Sequence, residues 1–173
     1  MTADALRLFA AADLADWTGL PGALPLADAA AVLPLESGAA GVGFLGDERR
    51  RARWTSIPSR VFAGGLRVWH DGSLVLAVEG RDPVDADGAP LAAPDAGEPD
   101  AALDTFLGRL RLEGGERVYA SRGLALRVNP ENGVLLGAIG FAPTDAAEYR
   151  ARLRPEVGRQ RLLPNPAAHG SAA

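Results

Sequence analysis

The sequence predicts an α+β protein in which two related repeats, each a helix followed by a β-hairpin, form a mainly antiparallel sheet with flanking helices. Three observations lead to this class: an internal repeat, strand-like alternation around turn residues inside it, and helical spacing of apolar residues near both ends of the chain. With 173 residues, 47% of them hydrophobic, the chain is long enough to bury a core of its own.

The repeat is an ordered set of matches between two segments. Residues 60–83 read RVFAGGLRVWHDGSLVLAVEGRDP, and residues 117–143 read RVYASRGLALRVNPENGVLLGAIGFAP. Both contain, in order, Arg-Val, an aromatic residue, Gly-Leu, a second Arg-Val, a turn with glycine, an apolar run and a closing proline. Upstream, FLG at 44–46 recurs at 106–108, and GALPLA is partly echoed by GAPLAA. The shared order predicts a duplication.

The duplication sets the expected domain organisation. One compact domain covers residues 1–155 and contains repeats at about 20–83 and 86–143, with a helix at each end. The stretch 82–99, rich in Pro, Gly and Asp, is the expected linker between the copies. Residues 156–173 lack apolar periodicity and are expected to form a flexible tail.

The second part of each repeat has the signals of a β-hairpin, with alternating apolar residues on both sides of the turns HDGS and NPENG. Helices are expected at the N-terminus, after Pro143 with Asp145 near the first turn and Pro155 limiting the end, and in short pieces over 27–33 and 100–107. The N-terminal helix is predicted from the apolar residues that fall near one helical face: Leu6, Phe9, Ala10, Leu14 and Trp17.

Composition narrows the classes of function. The chain has no cysteine, which excludes disulfides and thiolate chemistry, and its net charge of −4 disfavours a general nucleic-acid binder. No apolar run approaches the ~20 residues that cross a bilayer, so no membrane partner is expected. The start carries acids and lacks the basic region of a secretory signal, which predicts a cytoplasmic protein. The arginines of 49–53 and the acids of 82–104 form either solvated faces or a bipolar binding surface.

Gly41, Gly43 and Gly46 have the spacing G-x-G-x-x-G, so a dinucleotide loop has to be considered. That fingerprint needs a strand before it, a helix after it and an acid about 20 residues further on. The following DERRRARW is short and is stopped by TSIP, and residues 61–70 contain no acid. We therefore expect a turn and no cofactor; the alternative is a nucleotide-dependent enzyme or regulator that uses the Gly41–Gly46 loop.

No other constellation predicts catalysis or metal binding. His70 and His169 are the two histidines, one expected in a hairpin turn and one in the tail, which disfavours a histidine metal site or a Ser-His-Asp triad. DPVDADG places Pro83 at the first ligand position of a calcium loop, so it is interpreted as a polar turn. The expected catalytic, cofactor-binding and metal-binding residues are none.

The candidate partner-binding residues are Trp69, Arg67, Arg127 and Trp54. Matching Arg67-Val68 to Arg127-Val128 aligns Trp69 with Asn129, on the more polar face of the second hairpin. Trp69 is therefore expected to be partly exposed beside Arg67, a pairing that interface hot spots favour. The alternative is that a helix covers this face and buries the ring.

A helical lead-in, an LG element and a hairpin, present twice, resemble the tandem α+β modules of the β-lactamase inhibitory proteins and, per repeat, the BamE lipoprotein family. FLG at 44 and 106 and the two hairpins carry this resemblance. It implies a sheet that presents a binding face to another protein without a cofactor. We therefore expect a non-catalytic interaction module of the inhibitor, immunity or assembly type.

Overall fold

A single antiparallel sheet dominates the computed structural model, which describes residues 14–33, 35–46, 57–62 and 66–155. Its strands are β1 (Leu35–Gly43), β2 (Ile57–Phe62), β3 (Leu66–His70), β4 (Val75–Arg81), β5 (Ala101–Leu107), β6 (Leu110–Tyr119), β7 (Leu124–Val128) and β8 (Leu135–Phe141). The helical elements are α1 (Leu26–Val32), a 3₁₀ turn (Ala120–Arg122), α2 (Ala146–Glu148) and a π-helical turn (Tyr149–Leu153).

The eight strands follow the order β1-β2-β3-β4-β8-β7-β6-β5. Each half is a four-stranded meander, and the two meanders meet where β4 pairs antiparallel with β8, with Glu79 opposite Ile139. From either edge, the order gives the first, second, third and fourth strands of one meander. This is expected for two copies related by a twofold axis normal to the sheet. Residues 60–83 and 117–143 supply the corresponding three strands of the two meanders.

The pairing registers identify which residues correspond. Ser59 lies opposite Trp69, and Glu116 lies opposite Arg127. The register of β3 against β4 shifts directly after Trp69, and that of β7 against β8 shifts directly after Arg127. Trp69 therefore corresponds to Arg127. The sequence match of Arg67 with Arg127 is wrong by two residues, because a bulge, and not the Arg-Val dipeptide, is the shared feature.

The partial echo between GALPLA and GAPLAA corresponds to a shared contact. The amide of Val75 donates to the carbonyl of Leu24 at 2.8 Å, and the amide of Leu135 donates to the carbonyl of Leu91 at 2.8 Å. Each copy thus lays an extended segment beside the first residues of its last strand. This satisfies backbone groups that the sheet would otherwise leave unpaired.

The predicted α+β class with flanking helices is wrong, because the described elements are mainly strands with a few short helices. Residues 100–107, expected to be helical, contain β5, which pairs with β6. Leu14 and Trp17 lie in a turn closed by Trp17 N–H donating to Leu14 O at 3.3 Å. In residues 101–107, cross-strand pairing outweighs the local helical preference. Leu6, Phe9 and Ala10 lie outside the described residues.

Two of the expected helices form but are short. α1 overlaps the region predicted over 27–33, and α2 begins where Asp145 accepts a hydrogen bond from the amide of Glu148 at 2.8 Å. α2 has three residues and passes into the π-helical turn, which ends before Pro155. The expected flexible tail, residues 156–173, lies outside the described residues.

Both faces of the sheet are covered. On the first face, Leu66, Val68, Leu124 and Leu126 belong to a core cluster that includes Trp17, Leu20 and Leu24 from the chain segment before α1. On the second face, Trp69, Ala125, Ile139 and Phe141 pack with Leu45 and Tyr149. Within the described part of the chain, no helix is long and apolar enough to cross a membrane.

Candidate functional site

Trp69 is fully buried on the second face. Its indole Nε1–H donates to Glu79 Oε2 at 3.1 Å. The expectation of partial exposure is therefore wrong: the face carries other chain segments, as the alternative anticipated, although Leu45 and Tyr149 rather than a long helix supply the cover. A buried indole cannot act as an exposed anchor for a partner.

Arg67 lies beside Trp69, as expected from the sequence. Its guanidinium carbon is 5.5 Å from the centroid of the Trp69 ring, a cation–π distance, and its Nη1 donates to Ser59 Oγ at 3.4 Å. Arg67 is half-buried and flanks the covered indole. Trp54, the fourth candidate, lies outside the described residues.

Arg127 lies at the centre of a buried ion network on the same face. Its Nε donates to Glu116 Oε2 at 3.0 Å, its Nη1 donates to Glu79 Oε1 at 3.4 Å, and its Nη2 donates to the carbonyl of Pro155 at 2.8 Å. Only 12% of its side chain is exposed. The structure therefore places Arg127 inside the fold, beneath the segment that ends at Pro155.

Glu116 is the acceptor on which the C-terminal segment converges. Its carboxylate accepts a hydrogen bond from Tyr149 OH at 2.5 Å and from Arg154 at 3.1–3.2 Å. Arg154 also donates to the carbonyl of Asp104. Sequence reasoning missed Glu116, Tyr149 and Arg154. One usable signal was the position of Glu116 one residue before the repeated Arg-Val, where the first copy has the small residue Ser59.

The charges of this network stabilise one another. Burial alone would raise the pKa of Glu116, but the guanidinium groups of Arg127 and Arg154 and the Tyr149 hydrogen bond together lower it. Burial opposes the charge of Arg127 as well, and Glu116 and Glu79 more than compensate, so the pKa of Arg127 is raised. Burial and the neighbouring Glu116 carboxylate raise the pKa of the Tyr149 phenol well above its usual value. The carboxyl of Glu116, the guanidinium of Arg127 and the phenol of Tyr149 therefore each keep one protonation state near neutral pH.

The network holds chain segments together and offers little to a substrate. Glu116 and Glu79 are at most 1% exposed, and arginine, tyrosine and tryptophan donors occupy their oxygens. Among the described residues, no buried side-chain nitrogen or oxygen lacks a partner, and no group of acids and histidines could hold a metal ion. General acid–base work needs a group that can reach a reacting atom. These carboxylates are enclosed by their partners.

The three glycines of the G-x-G-x-x-G spacing have structural positions. Gly41 and Gly43 are paired strand residues of β1, opposite Ser59 and Ile57. Gly46 has φ of +65°, and a Cβ there would lie 2.0 Å from the carbonyl oxygen of Ala151. The first two glycines therefore lie in a strand rather than in a loop, and the third permits close packing of two chain segments. Residues 47–56, where the nucleotide alternative requires a helix, lie outside the described residues.

The β5–β6 hairpin extends beyond its neighbour in the sheet. β6 pairs with β5 from Leu110 to Val118, but it pairs with β7 only over Glu116–Tyr119. We call residues 105–115 the arm. Its tip carries Leu107 and Leu110, which lie directly opposite each other and are 45% and 56% exposed. Gly108, with φ of +60°, turns the chain between them.

The base of the arm is held in place by Asp104. Its Oδ2 accepts a hydrogen bond from Arg111 Nε at 2.8 Å, and its Oδ1 accepts one from the amide of Gly114 at 3.1 Å. These two bonds bridge the register shift in the β5–β6 pairing between Leu103 and Thr105. The arm is therefore an ordered extension of the sheet with an apolar tip.

The repeated FLG motif has a different environment in each copy. Ala40 lies opposite Arg60, and Ala102 lies opposite Arg117, so that Leu45 corresponds to Leu107. Leu45 is fully buried and bridges to Pro155, whereas Leu107 is exposed. The first copy of the motif is covered by the C-terminal segment of the chain. The second copy faces solvent on the arm.

The chain matches no family model, no curated protein and no solved structure. The resemblance to the β-lactamase inhibitory proteins and the BamE lipoproteins depended on a helix-plus-hairpin unit. The described residues form a four-stranded meander in each half instead of that unit.

Proposed function

We propose that this protein is a non-catalytic protein-interaction module that binds its partner through the arm. The observation that carries the proposal is the adjacent, exposed pair Leu107 and Leu110 at the tip of an ordered hairpin. Val42 and Val84 are the other exposed large apolar residues in the described part of the chain, and neither lies within the arm. Exposed apolar residues that adjoin each other are typical of interaction sites, whereas single ones are common on any surface.

Burial of the tip supplies the driving force. Complete burial of one leucine side chain contributes about 1.5–3 kcal/mol, so two adjacent leucines form a useful anchor for a partner. Arg109 lies between them at the turn and is also exposed. Arginine beside apolar residues is common in interface anchors, because its long stem adds buried area and its guanidinium adds hydrogen bonds.

The proposed surface is the arm, and not a face of the central sheet. Both faces already carry other segments of this chain, and the candidate side chains Trp69 and Arg127 are buried beneath them. An inhibitor, immunity or assembly role requires only recognition of a partner protein and no reactive side chain. This agrees with the second face, where hydrogen-bond donors of the chain itself occupy the oxygens of Glu79 and Glu116. The lack of cysteine fits action in the cytoplasm, where disulfides are rare.

The test is a photo-crosslinking residue placed at position 110 and used in cells that express the protein. A protein partner should be captured at position 110 and not when the same residue replaces Val84, which is 54% exposed away from the arm. The Leu107→Asp/Leu110→Asp double variant should remain folded and lose the partner, and Val84→Asp should keep it. Equal recovery of the partner by the double variant and by the unmodified protein would contradict the proposal.

A further inference from the structure

We propose that residues 144–155, here called the strap, are a self-docked peptide, and that the second face beneath the strap is a groove for a protein segment of similar chemistry. The required segment presents an aromatic hydroxyl and, five residues later, an arginine followed by proline, as Tyr149, Arg154 and Pro155 do. The inference depends on the proposed function only in assuming a protein ligand. The groove is a second surface, separate from the apolar tip of the arm.

The strap is attached to the sheet by few buried residues. Within residues 144–155, only Tyr149 and Pro155 are buried; the rest are half-buried or exposed. Its helical pieces are three and five residues long, too short to be stable without the sheet. The central strands, in contrast, pair on both sides along an eight-stranded ladder. We therefore expect the strap to open at a lower free energy than the central strands.

The contacts under the strap are specific. The Tyr149 ring stacks on Phe141, with centroids 4.6 Å apart and planes 25° apart, and its hydroxyl reaches Glu116. Arg154 donates to the same carboxylate. Arg127 donates to the carbonyl of Pro155. A ring site, an acceptor for a cation and a donor for a backbone carbonyl thus form one recognition surface.

The backbone of the strap also pairs as a strand. Leu45 and Pro155 form an isolated antiparallel bridge, and the amide of Gly46 donates to the carbonyl of Arg154 at 2.7 Å. Recognition of an added extended segment through main-chain hydrogen bonds with side-chain pockets beside them is a recurring mode of peptide binding. Any segment that replaces the strap can use the same amide.

Release of the strap leaves Glu116 with fewer hydrogen-bond donors, and this selects the ligand. Glu116 then keeps Arg127 as its cationic partner, which it shares with Glu79, and loses the donors from Tyr149 and Arg154. A segment that covers Glu116 again without such donors leaves a buried carboxylate short of hydrogen bonds, which is strongly disfavoured. A segment without a cation and a hydroxyl at these positions therefore binds poorly. This favours a basic, aromatic segment over a merely apolar one.

The experiment uses the complete chain and a fluorescent synthetic peptide of the strap sequence, TDAAEYRARLRP. Because the groove must first open, the apparent dissociation constant equals the intrinsic one divided by the open fraction. In a Tyr149→Phe chain, the strap loses one hydrogen bond to a buried charge, so the open fraction and the apparent affinity for the peptide should rise about tenfold. A peptide with alanine in place of its tyrosine should not bind.

A disulfide provides the matched control, because the chain has no cysteine of its own. Leu45 and Pro155 are direct cross-strand partners, a geometry compatible with a disulfide in Leu45→Cys/Pro155→Cys. The oxidised form should not bind the peptide, and reduction of the same sample should restore binding. The Leu107→Asp/Leu110→Asp chain should bind the peptide as the unmodified chain does, which separates this proposal from the arm.

Three results would overturn the inference. One is equal peptide binding by the oxidised and reduced forms, which would place the peptide elsewhere. Another is a folded Tyr149→Phe chain that binds no peptide. If that variant fails to fold, hydrogen exchange on the unmodified chain decides: the amides of residues 144–155 should exchange faster than those of β7 and β8, and equal protection would show that the strap opens only with the whole fold.

Discussion

The two meanders share one scaffold and differ in what fills their corresponding positions on the second face. In the first, Ser59 lies opposite Trp69; in the second, Glu116 lies opposite Arg127. Trp69 needs only one acceptor, which the neighbouring Glu79 supplies within the same meander. Glu116 takes two donors from the strap. A buried carboxylate at the position where the first copy has a small hydroxyl therefore forms the docking site for residues 144–155.

The largest expected effect that tests this comparison is on Trp69. Trp69→Ala should lower the free energy of unfolding by about 3–5 kcal/mol, since it removes a buried ring and the indole donor to Glu79. Arg67→Ala, which removes the half-buried cation over the same ring, should lower it by about 1 kcal/mol. Urea denaturation measures both. Equal effects would show that the indole is not the buried centre of the first meander.

Substitution of Glu116 should have the next-largest effect on the free energy of unfolding. Glu116→Gln leaves Arg127 and Arg154 without their shared carboxylate and should lower the free energy of unfolding by about 3 kcal/mol. Ser59→Ala at the corresponding position should lower it by about 1 kcal/mol, because Ser59 accepts one long hydrogen bond from Arg67. The comparison requires the two urea midpoints to differ clearly. Matching midpoints would mean that the carboxylate is not the anchor of the strap.

The corresponding glycines of the repeated FLG motif provide a matched pair of substitutions with smaller expected effects on the free energy of unfolding. Gly46→Ala should lower the free energy of unfolding by about 2 kcal/mol, because its Cβ would collide with the Ala151 carbonyl and push the strap away. Gly108→Ala at the arm has open space around it and should lose about 1 kcal/mol from its left-handed backbone alone. Thermal unfolding of the two variants measures the difference. A more damaging Gly108→Ala would reverse the assignment of the covered copy.

The smallest expected effect is on the stability that the protein loses at acid pH. The pKa of Glu116 is held below its ordinary value of 4.5 in the folded state, so its contribution is fully present above that value. The contribution is lost as the pH falls from 4.5 through the lower folded pKa. Urea midpoints at pH 7 and pH 3 should therefore differ less for Glu116→Gln than for the unmodified chain. An unchanged difference would assign the acid sensitivity to other carboxylates.

Several features of the fold were predictable because their signals are local. The turns HDGS and NPENG connect β3 to β4 and β7 to β8, and Asp145 begins a short helix at the position where it was predicted to suit a helix N-terminus. The order of the repeat predicted which segments correspond, although its register was wrong by two residues between Arg67 and Arg127. The prediction of a helix over 100–107 was wrong. β5 pairs with β6, and helix propensity takes no account of such a cross-strand partner.

The buried site was not predictable, because its members are far apart in the sequence. Glu116 meets Arg154 across 38 residues, and Arg127 meets Glu79 across 48. The alternation of β7 correctly placed Arg127 opposite the face of Leu124 and Leu126, but alternation names a face without saying whether another segment covers it.

What the sequence determined by itself was therefore the repeated succession of strands and turns, since hydrogen-bonded turns and alternating side chains depend on neighbouring residues. Only the tertiary structure decided that the second face is closed, that Trp69 is core, and that Leu45 and Leu107 have opposite environments in corresponding positions. The reason is physical. Burial depends on which distant segment packs against a face, and here the packing of the strap is determined by one carboxylate and the cations that balance it.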